Sequence, residues 1–253
     1  ANVDIVDDDG RTALMISSAY GRIVCVEELV TRGVDAALDI QNENEETALM
    51  MASYGGHHEC VELLIRYGAA LDIQNANGQT ALMLACLYVG GGHTECAKKL
   101  IGAHGSLASI DIVDQYGNTA LMLACKWGHH RLVLSFNSRG AALNTARLDG
   151  KTALMISCAE GHHQCVLWLF DLRSRDVLVN LVDNIGRTAL MLACLEGSHR
   201  CVELLLSYDA EDVLVNLVDN SGRTALMMAS SNGHGSIVDL LNENAAVKKP
   251  RLK

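Results

Sequence analysis

The chain has 253 residues, of which 49% are hydrophobic, 20% are charged and only ten are aromatic. This apolar content is enough for a buried core and excludes a wholly disordered chain, which would lack the apolar surface that offsets ordering entropy. The formal net charge of −10 argues against a nucleic-acid partner, because phosphate contacts need clustered Lys and Arg. No apolar run approaches the roughly 18 residues that span a bilayer, so no membrane partner is expected.

A short repeated motif organises the chain. The tetrapeptide Thr-Ala-Leu-Met occurs seven times, at intervals of 33 to 39 residues, starting at Thr12, Thr47, Thr80, Thr119, Thr152, Thr188 and Thr224. In six copies a Gly lies two residues before the Thr, and Glu45 takes its place in the second copy. Another Gly lies nine residues after the Thr, and in the third copy we expect Gly92 to take this position after an insertion. Seven matches in one register indicate a tandem array, numbered here repeats 1 to 7.

Repeat 6 shows how each unit is expected to fold. Residues 183–186 (Asp-Asn-Ile-Gly) predict a tight turn, in which the Asp accepts backbone hydrogen bonds and the Gly takes a positive φ. We call this turn the finger of the repeat. Thr188 is predicted to cap a short first helix, and Gly197 to end it. A second, longer helix follows, because residues 199–206 carry apolar side chains at positions i, i+1, i+4 and i+5.

A turn and two helices in about 33 residues resemble the ankyrin repeat, and the resemblance covers nearly the whole chain. The family's usual Thr-Pro-Leu-His is Thr-Ala-Leu-Met here. The resemblance implies an all-α solenoid of helix-turn-helix units with β-turn or hairpin fingers. We expect one elongated ankyrin-repeat domain over residues 1–244, a basic tail over residues 245–253, and a monomer.

The Met, Cys and His residues follow the same register. The Met of each tetrapeptide is expected in an apolar ladder in the core. The nine Cys fall on the two helices without any Cys-x-x-Cys pair, which predicts buried free thiols and an intracellular, cytoplasmic location. Nine of the ten His fall at the turn between helices, where a ring can bond a backbone carbonyl of the loop. Zinc needs four convergent ligands, so no metal site is expected.

Catalytic motifs are absent from the sequence. It holds no phosphate-cradling Gly loop, no Gly-x-Ser-x-Gly elbow and no His-Glu-x-x-His helix. We therefore expect no enzyme activity and no cofactor.

Partner-binding residues are expected where specificity varies between repeats. In a stack of such units, the fingers and first helices line the concave groove. The candidate residues on the fingers are Asp8, Asp9, Glu43, Asn44, Glu46, Gln115, Tyr116, Arg187 and Arg223. Those on the first helices are Tyr20, Tyr54, Tyr88, Lys126 and Trp127. Five of the ten aromatic residues thus lie in the groove, where exposed Tyr and Trp are the usual anchors; the alternative is that some pack against the next finger.

Charge indicates which kind of partner fits. Residues 1–118 hold 17 Asp or Glu and 6 Lys or Arg, whereas residues 119–253 hold 13 and 14. An acidic, aromatic half of the groove favours an extended basic or Arg-containing segment of another protein. The alternative is that the acidic fingers only keep the array soluble.

Two broad functions remain open. The first is a non-enzymatic scaffold or adaptor that binds a polypeptide segment in the groove. The second is a regulatory or targeting segment of a larger enzyme, channel or receptor, favoured by a first residue other than Met and by residues 1–5, which match the tail of a preceding repeat. An engineered repeat protein is disfavoured by the nine Cys and the irregular insertions.

Two short motifs complete the set. Residues 248–251 (Lys-Lys-Pro-Arg) resemble a nuclear-import motif, which would add a nuclear location. Asn180 and Asn216 resemble the family's asparaginyl-hydroxylase target, although Leu178 and Leu214 replace its usual acidic residue.

Overall fold

The computed structural model describes residues 4–32, 38–88, 90–103, 110–170, 177–208 and 213–247. The longer intervals between some Thr-Ala-Leu-Met copies predict loop insertions near residues 106–109, 173–176 and 211–213. All of these residues except Val213 lie outside the described ranges. So does the import-like motif at 248–251. Within the described ranges, no helix is long and apolar enough to span a membrane.

Two helices form each repeat, and the predicted all-α fold is confirmed. The structure contains, in its described part, fourteen helices, two isolated β-bridges and no strand. The pairs of repeats 1 to 4 are α1 (Ala13–Ala19) and α2 (Ile23–Arg32), α3 (Ala48–Tyr54) and α4 (His58–Arg66), α5 (Ala81–Ala85) and α6 (Gly91–Ala103), and α7 (Ala120–Lys126) and α8 (His130–Ser138). Those of repeats 5 to 7 are α9 (Ala153–Ala159) and α10 (His163–Leu169), α11 (Ala189–Leu195) and α12 (His199–Tyr208), and α13 (Ala225–Ser231) and α14 (Gly235–Val247). Helix α14 thus extends three residues into the predicted tail.

Every first helix begins with the predicted threonine cap. The Thr hydroxyl accepts the backbone N–H of the Met three residues later, over 3.2–3.4 Å, in all seven repeats. The finger before it also follows the prediction. In repeat 6, Asp183 Oδ1 accepts the backbone N–H groups of Ile185 (3.1 Å) and Arg187 (2.8 Å), and Gly186 has φ +81°. Glu45 takes the corresponding position in repeat 2 with φ +60°, although it has a Cβ.

Repeat 3 departs from the expected register. Gly92 was expected to end the first helix, but it lies inside α6, which begins at Gly91. A side chain at this position would collide with the carbonyl oxygen of Gly56 in repeat 2. Gly92 therefore permits close packing of two repeats instead of a turn.

The chain divides into two compact units, residues 1–141 and 142–253. Unit 1 holds repeats 1 to 4, in which first helices pack on neighbouring first helices and second helices on neighbouring second helices. Unit 2 holds repeats 5 to 7 with the same arrangement. The single domain over 1–244 stays a prediction.

The Met ladder is present in six repeats. The Met residues of these six tetrapeptides are 1% exposed: Met15, Met50, Met83, Met122, Met155 and Met191. The expectation is wrong for Met227, which is 56% exposed in repeat 7. The reason is that none of the described residues covers this side of the repeat. Gly222 and Gly233 have open space beside them, whereas Gly186 and Gly197, their equivalents in repeat 6, lie against residues of repeat 7.

The cysteines are free thiols, as predicted, and eight of the nine are buried. Burial raises the pKa of Cys86, Cys96 and Cys194 to about 12, so these thiols stay protonated and unreactive. Cys25 is exposed, against expectation. Helices α4, α6 and α12 bury their Cys residues, and each has the second helix of the preceding repeat packed alongside. Helix α2, which carries Cys25, has no preceding second helix beside it in the described structure.

Candidate functional site

Four exposed aromatic side chains lie where the first helices of unit 1 end. Tyr54 is the last residue of α3, Tyr20 and Trp127 directly follow α1 and α7, and Tyr88 lies three residues after α5. Their exposed fractions are 69% for Tyr20, 52% for Tyr54, and 45% for both Tyr88 and Trp127. We call these four residues the aromatic row. Their exposure argues against the alternative that they are buried against the next finger.

The centre of the aromatic row is held together by direct contacts. The hydroxyl oxygens of Tyr54 and Tyr88 are 3.0 Å apart, and the two rings meet edge to face with centroids 5.3 Å apart. The ring of His93 lies 5.5 Å from that of Tyr88. The hydrogen bond with Tyr88 raises the pKa of Tyr54, and the nearby charge of Glu46 raises it further. The phenol of Tyr54 therefore stays neutral at physiological pH.

Repeat 4 carries two exposed aromatic side chains, Trp127 of the aromatic row and Tyr116. Lys126 Nζ lies 5.5 Å from the centroid of the Trp127 ring, a cation–π contact. Tyr116 is exposed on the finger, and its backbone N–H donates to Asp114 Oδ1 over 2.9 Å. Both rings are thus offered to solvent from well-defined backbone positions.

Histidine rings fix the backbone beneath the row. His57 Nε2 bonds the carbonyl oxygen of Ala19 (3.0 Å), and His93 Nε2 bonds that of Tyr54 (2.9 Å). In unit 2, His234 bonds the carbonyl oxygen of Leu195 (3.1 Å) in the same way. The carbonyl belongs to the preceding repeat, whereas the sequence indicated only a loop carbonyl. Across the described parts of the chain, no three His, Cys, Asp or Glu side chains converge to hold a metal.

The acidic fingers of unit 1 differ in how far their charges are neutralised. Asp7 and Asp9 both pair with Arg11, each over 2.8 Å. Asp8 and Glu43 are exposed, and the described residues provide no ion pair for either. The free carboxylates of these fingers are therefore available to a cation from outside.

Other candidate residues help to join the fingers. The half-buried Glu46 accepts a hydrogen bond from the Asn42 side chain over 3.2 Å. A backbone hydrogen bond also links each pair of neighbouring fingers in unit 1, and we call this series the finger ladder. Its donor and acceptor pairs in unit 1 are Glu43 and Asp9 (3.2 Å), Ala76 and Asn44 (3.1 Å), and Gln115 and Asn77 (3.1 Å). Asn44 and Gln115 thus contribute backbone to the ladder, while their side chains remain exposed.

The two basic candidates of unit 2 are bound within their own fingers. Arg187 forms a 2.8 Å ion pair with the buried Asp183, and Arg223 does the same with the buried Asp219. Sequence reasoning assigned both Arg residues to a partner and missed this role. The spacing of four residues between Asp and Arg, seen also in Asp7 and Arg11, could have indicated it. Their contact with a partner stays a prediction.

The aromatic row has no counterpart in unit 2. The residues that directly follow its first helices are Glu160, Glu196 and Asn232, all exposed. The finger ladder does continue there, through Asn184 and Asp149 (3.0 Å) and through Asn220 and Ile185 (3.0 Å). The two units therefore share a backbone arrangement and differ in the side chains they display.

Asn180 takes part in a second link between repeats. Its Oδ1 accepts the backbone N–H of Leu214 over 3.0 Å, as Asn144 accepts that of Leu178 (2.9 Å) and Asp39 that of Ala70 (2.9 Å). This role is structural. Hydroxylation of Asn180 or Asn216 stays a prediction.

Comparison with known families agrees with this geometry. A model of ankyrin repeats, built on three copies, matches residues 1–71, 25–107, 89–180 and 173–251. The chain is an ankyrin repeat protein. Its structure is similar to the human ASB11 ankyrin repeat domain, with a TM-score of 0.75 at 21% identity, covering 92% of this chain and 98% of that one.

It is also similar to the ankyrin repeat domain of Bcl-3, a member of the IkappaB protein family. The TM-score is 0.77 at 25% identity, over 93% of this chain and 100% of that one. A sequence comparison with curated proteins gives no match. The predicted ankyrin solenoid is thus confirmed by the family model and by the solved structures.

Proposed function

We propose that this ankyrin repeat protein is a non-enzymatic scaffold or adaptor that binds an extended polypeptide segment along the aromatic row of unit 1. Ankyrin repeat domains generally mediate protein–protein interaction. The observation that carries the proposal is the exposure, by 45–69%, of an aromatic side chain in four successive repeats. Exposed apolar groups that lie next to one another on a surface often mark an interaction site, and Tyr and Trp are enriched among interface anchors.

Charge supports a basic or Arg-containing segment. Asp8 and Glu43 lie on the fingers beside the row, and neither carboxylate has an internal ion pair in the described part of unit 1. Residues 1–118 carry the whole excess of acidic over basic side chains. Such a field speeds the arrival of a positively charged segment and disfavours nucleic acid.

The alternative, a regulatory or targeting segment of a larger protein, is favoured by one observation. Met227 and Leu226 are 56% and 38% exposed, although the equivalent residues of repeats 1 to 6 are buried. A further repeat packed on repeat 7 would cover them, as neighbours do elsewhere in such arrays. Size and sequence of the full-length transcript distinguish the two functions.

Features of the chain also support a proposal for its cellular location and oligomeric state. We propose an intracellular, cytoplasmic location, supported by nine free thiols, since disulfides are rare in that reducing compartment. A monomer without cofactor fits the groove model, in which one copy holds one segment.

Affinity capture from a cytosolic extract tests the proposal. One variant replaces Tyr54, Tyr88 and Trp127 by Ala. The matched control replaces Glu160, Glu196 and Asn232, the residues that follow the first helices of unit 2, and circular dichroism verifies both folds. We expect a partner that is lost with the first variant, retained by the control and weakened by salt. A partner retained by both variants would place the interface elsewhere and refute the proposal.

A further inference from the structure

The charges at the base of the finger are arranged differently in repeat 2 from those in repeats 1, 6 and 7. In the latter three, the residue before the Thr is Arg, and its Nε donates to the Oδ2 atom of the Asp four residues earlier, over 2.9–3.0 Å. In repeat 2 the corresponding residues are Glu46 and Asn42. The residue before the Thr is thus an anion there, and its neighbour in the finger is a neutral amide.

Glu46 is therefore not neutralised by a cation of its own finger. Its Oε2 accepts a hydrogen bond from Asn42 Nδ2 over 3.2 Å, and the described residues provide no ion pair for it. The side chain is half-buried, whereas Asp8 and Glu43 are exposed. Because a partly buried charge is screened less by salt than an exposed one, Glu46 attracts a cation more strongly than they do.

The aromatic row lies within reach of this carboxylate. Thr47, the residue after Glu46, caps α3, and Tyr54 ends the same helix. The hydrogen bond with Tyr88 is the main cause of the raised pKa of Tyr54, and the charge of Glu46 adds to it, so the carboxylate and the phenol interact. The seven residues of α3 span about 10 Å. An extended segment that crosses α3 can therefore place a long cationic side chain on both groups.

Arginine suits this arrangement better than lysine. Its planar guanidinium can donate to both oxygens of a carboxylate, packs against aromatic rings and is less strongly hydrated than an ammonium group. The fingers of repeats 1, 6 and 7 show the same chemistry within the chain, because each Arg there binds a carboxylate through Nε and Nη2. Repeat 2 offers the carboxylate and leaves the guanidinium to come from outside.

We propose that Glu46 selects arginine in the bound segment: its carboxylate receives the guanidinium of one Arg, and the remainder of that side chain lies on Tyr54. The exposed Asp8 and Glu43 attract the segment without distinguishing Arg from Lys. This inference rests on the proposed function of the groove and specifies one residue of the segment that it binds.

Three capped pentapeptides of sequence Gly-Ser-X-Ser-Gly test the proposal, with Arg, Lys or citrulline at X. Each is titrated into the isotopically labelled full chain, and NMR gives the affinity and the residues whose signals shift. We expect the Arg peptide to shift the signals of Glu46 and Tyr54 and to bind about fivefold tighter than the Lys peptide. Citrulline keeps the shape of arginine without its charge, so that peptide should bind about tenfold weaker than the Arg peptide.

A matched pair of variants tests the assignment to Glu46. Glu46→Gln removes the charge and recreates the arrangement of repeat 3, where Asn75 accepts the backbone N–H of Gln79, so the fold is retained. This variant should bind the Arg peptide about tenfold more weakly and hold the Arg and Lys peptides with affinities within about twofold of each other. The control Glu43→Gln removes an exposed charge from the same finger and should leave the preference for Arg unchanged.

Three results would overturn the proposal. They are equal affinities of the parent chain for the Arg and Lys peptides, a preference for Arg that survives Glu46→Gln, and the absence of any shift at Glu46 and Tyr54 with the Arg peptide. Each would leave the proposed function standing, because the capture experiment with the aromatic variant decides that function separately.

Discussion

Units 1 and 2 are built from the same repeat, yet they display different surfaces. Both have the threonine caps, the positive-φ fingers and the finger ladder. Unit 1 places Tyr or Trp at the ends of its first helices, where unit 2 has Glu160, Glu196 and Asn232. The comparison shows that the side chains which set the backbone are separate from those which differ at the ends of the first helices. A surface can therefore change without cost to the fold.

The fingers of the two units also differ, in the pairing of their charged side chains. In unit 2 the basic residues Arg187 and Arg223 are paired with aspartates of their own fingers. In unit 1 the carboxylates of Asp8 and Glu43 remain unpaired among the described residues. Over the two units, 17 acidic and 9 basic residues in unit 1 compare with 13 and 11 in unit 2. The acidic excess is thus larger in unit 1, which also carries the aromatic row.

The largest expected effect comes from exchanging residues between the units. Tyr88→Glu gives repeat 3 the residue of Glu196 and removes the bond to Tyr54. We expect affinity for the segment bound along the aromatic row to fall about thirtyfold, or about 2 kcal/mol, as for an interface hot spot. The reciprocal Glu196→Tyr should change affinity less than twofold. Calorimetry on both variants measures this, and similar losses in both would break the comparison.

A second prediction concerns the finger backbone. Glu45 has φ +60°, where a Cβ is unfavourable, so Glu45→Gly should raise the free energy of unfolding by about 0.5–1 kcal/mol. The opposite change in unit 2, Gly186→Ala, should lower it by about 1–2 kcal/mol, because φ is +81° and the new Cβ would press on Asn220. Urea unfolding measures both. Destabilisation by Glu45→Gly would show that the Glu side chain matters more than the backbone strain.

A third prediction tests the charge difference. Asp8→Asn with Glu43→Gln should weaken binding of the basic segment about threefold at low salt, and less at high salt, because exposed charges are screened. The control Glu160→Gln with Glu196→Gln removes two exposed charges from unit 2. Titrations at two ionic strengths compare them. An equal effect of both pairs would mean that net charge, and not its position, attracts the segment.

The smallest expected effect is a pH dependence of stability. The backbone N–H of Arg223 holds the pKa of Asp219 below its usual value, with help from the Arg223 side chain. A lowered folded pKa stabilises the protein above the unfolded pKa of about 3.9, and this contribution is lost as pH falls through the folded pKa. Asp219→Asn should therefore be less stable than the parent chain at pH 6, and the difference should shrink below about pH 4.

Asn75 provides the control, because it makes the same backbone hydrogen bonds in repeat 3 without a charge. Urea unfolding of Asn75→Ala should show a loss that is the same at both pH values. If the stability difference between Asp219→Asn and the parent chain also stayed the same at both pH values, the role of the Asp219 charge would be refuted.

Much of the fold could be predicted because the repeat carries local signals. The Thr caps, the finger turns and the helix positions each depend on a few neighbouring residues, and the Thr cap forms in all seven copies. The failures occur where burial depends on a neighbour. Met227 and Cys25 have the residue types of buried positions, but no further repeat packs on them among the described residues. Sequence register alone does not report such an absence.

The candidate site was predictable in position but not in its contacts. The register placed Tyr54 and Tyr88 in the groove, and both are exposed. It did not reveal the hydrogen bond between them. Tyr54 lies seven residues after its Thr and Tyr88 lies eight, so the two positions are not equivalent, and their contact depends on the orientation of both side chains. The pairing of Arg187 with Asp183 was missed because the basic residue was considered without its finger.

The finger ladder has a consequence for how the number of repeats can change during evolution. Each of its bonds joins the N–H group four residues before one Thr to the carbonyl three residues before the preceding Thr, whatever the side chains. Loss of repeat 2 by recombination would bring the carbonyl of Asp9 opposite the N–H of Ala76, which is the same bond again. The gene can therefore lengthen or shorten by whole repeats while every surviving junction remains compatible, and a recognition surface such as the aromatic row can be extended one ring at a time.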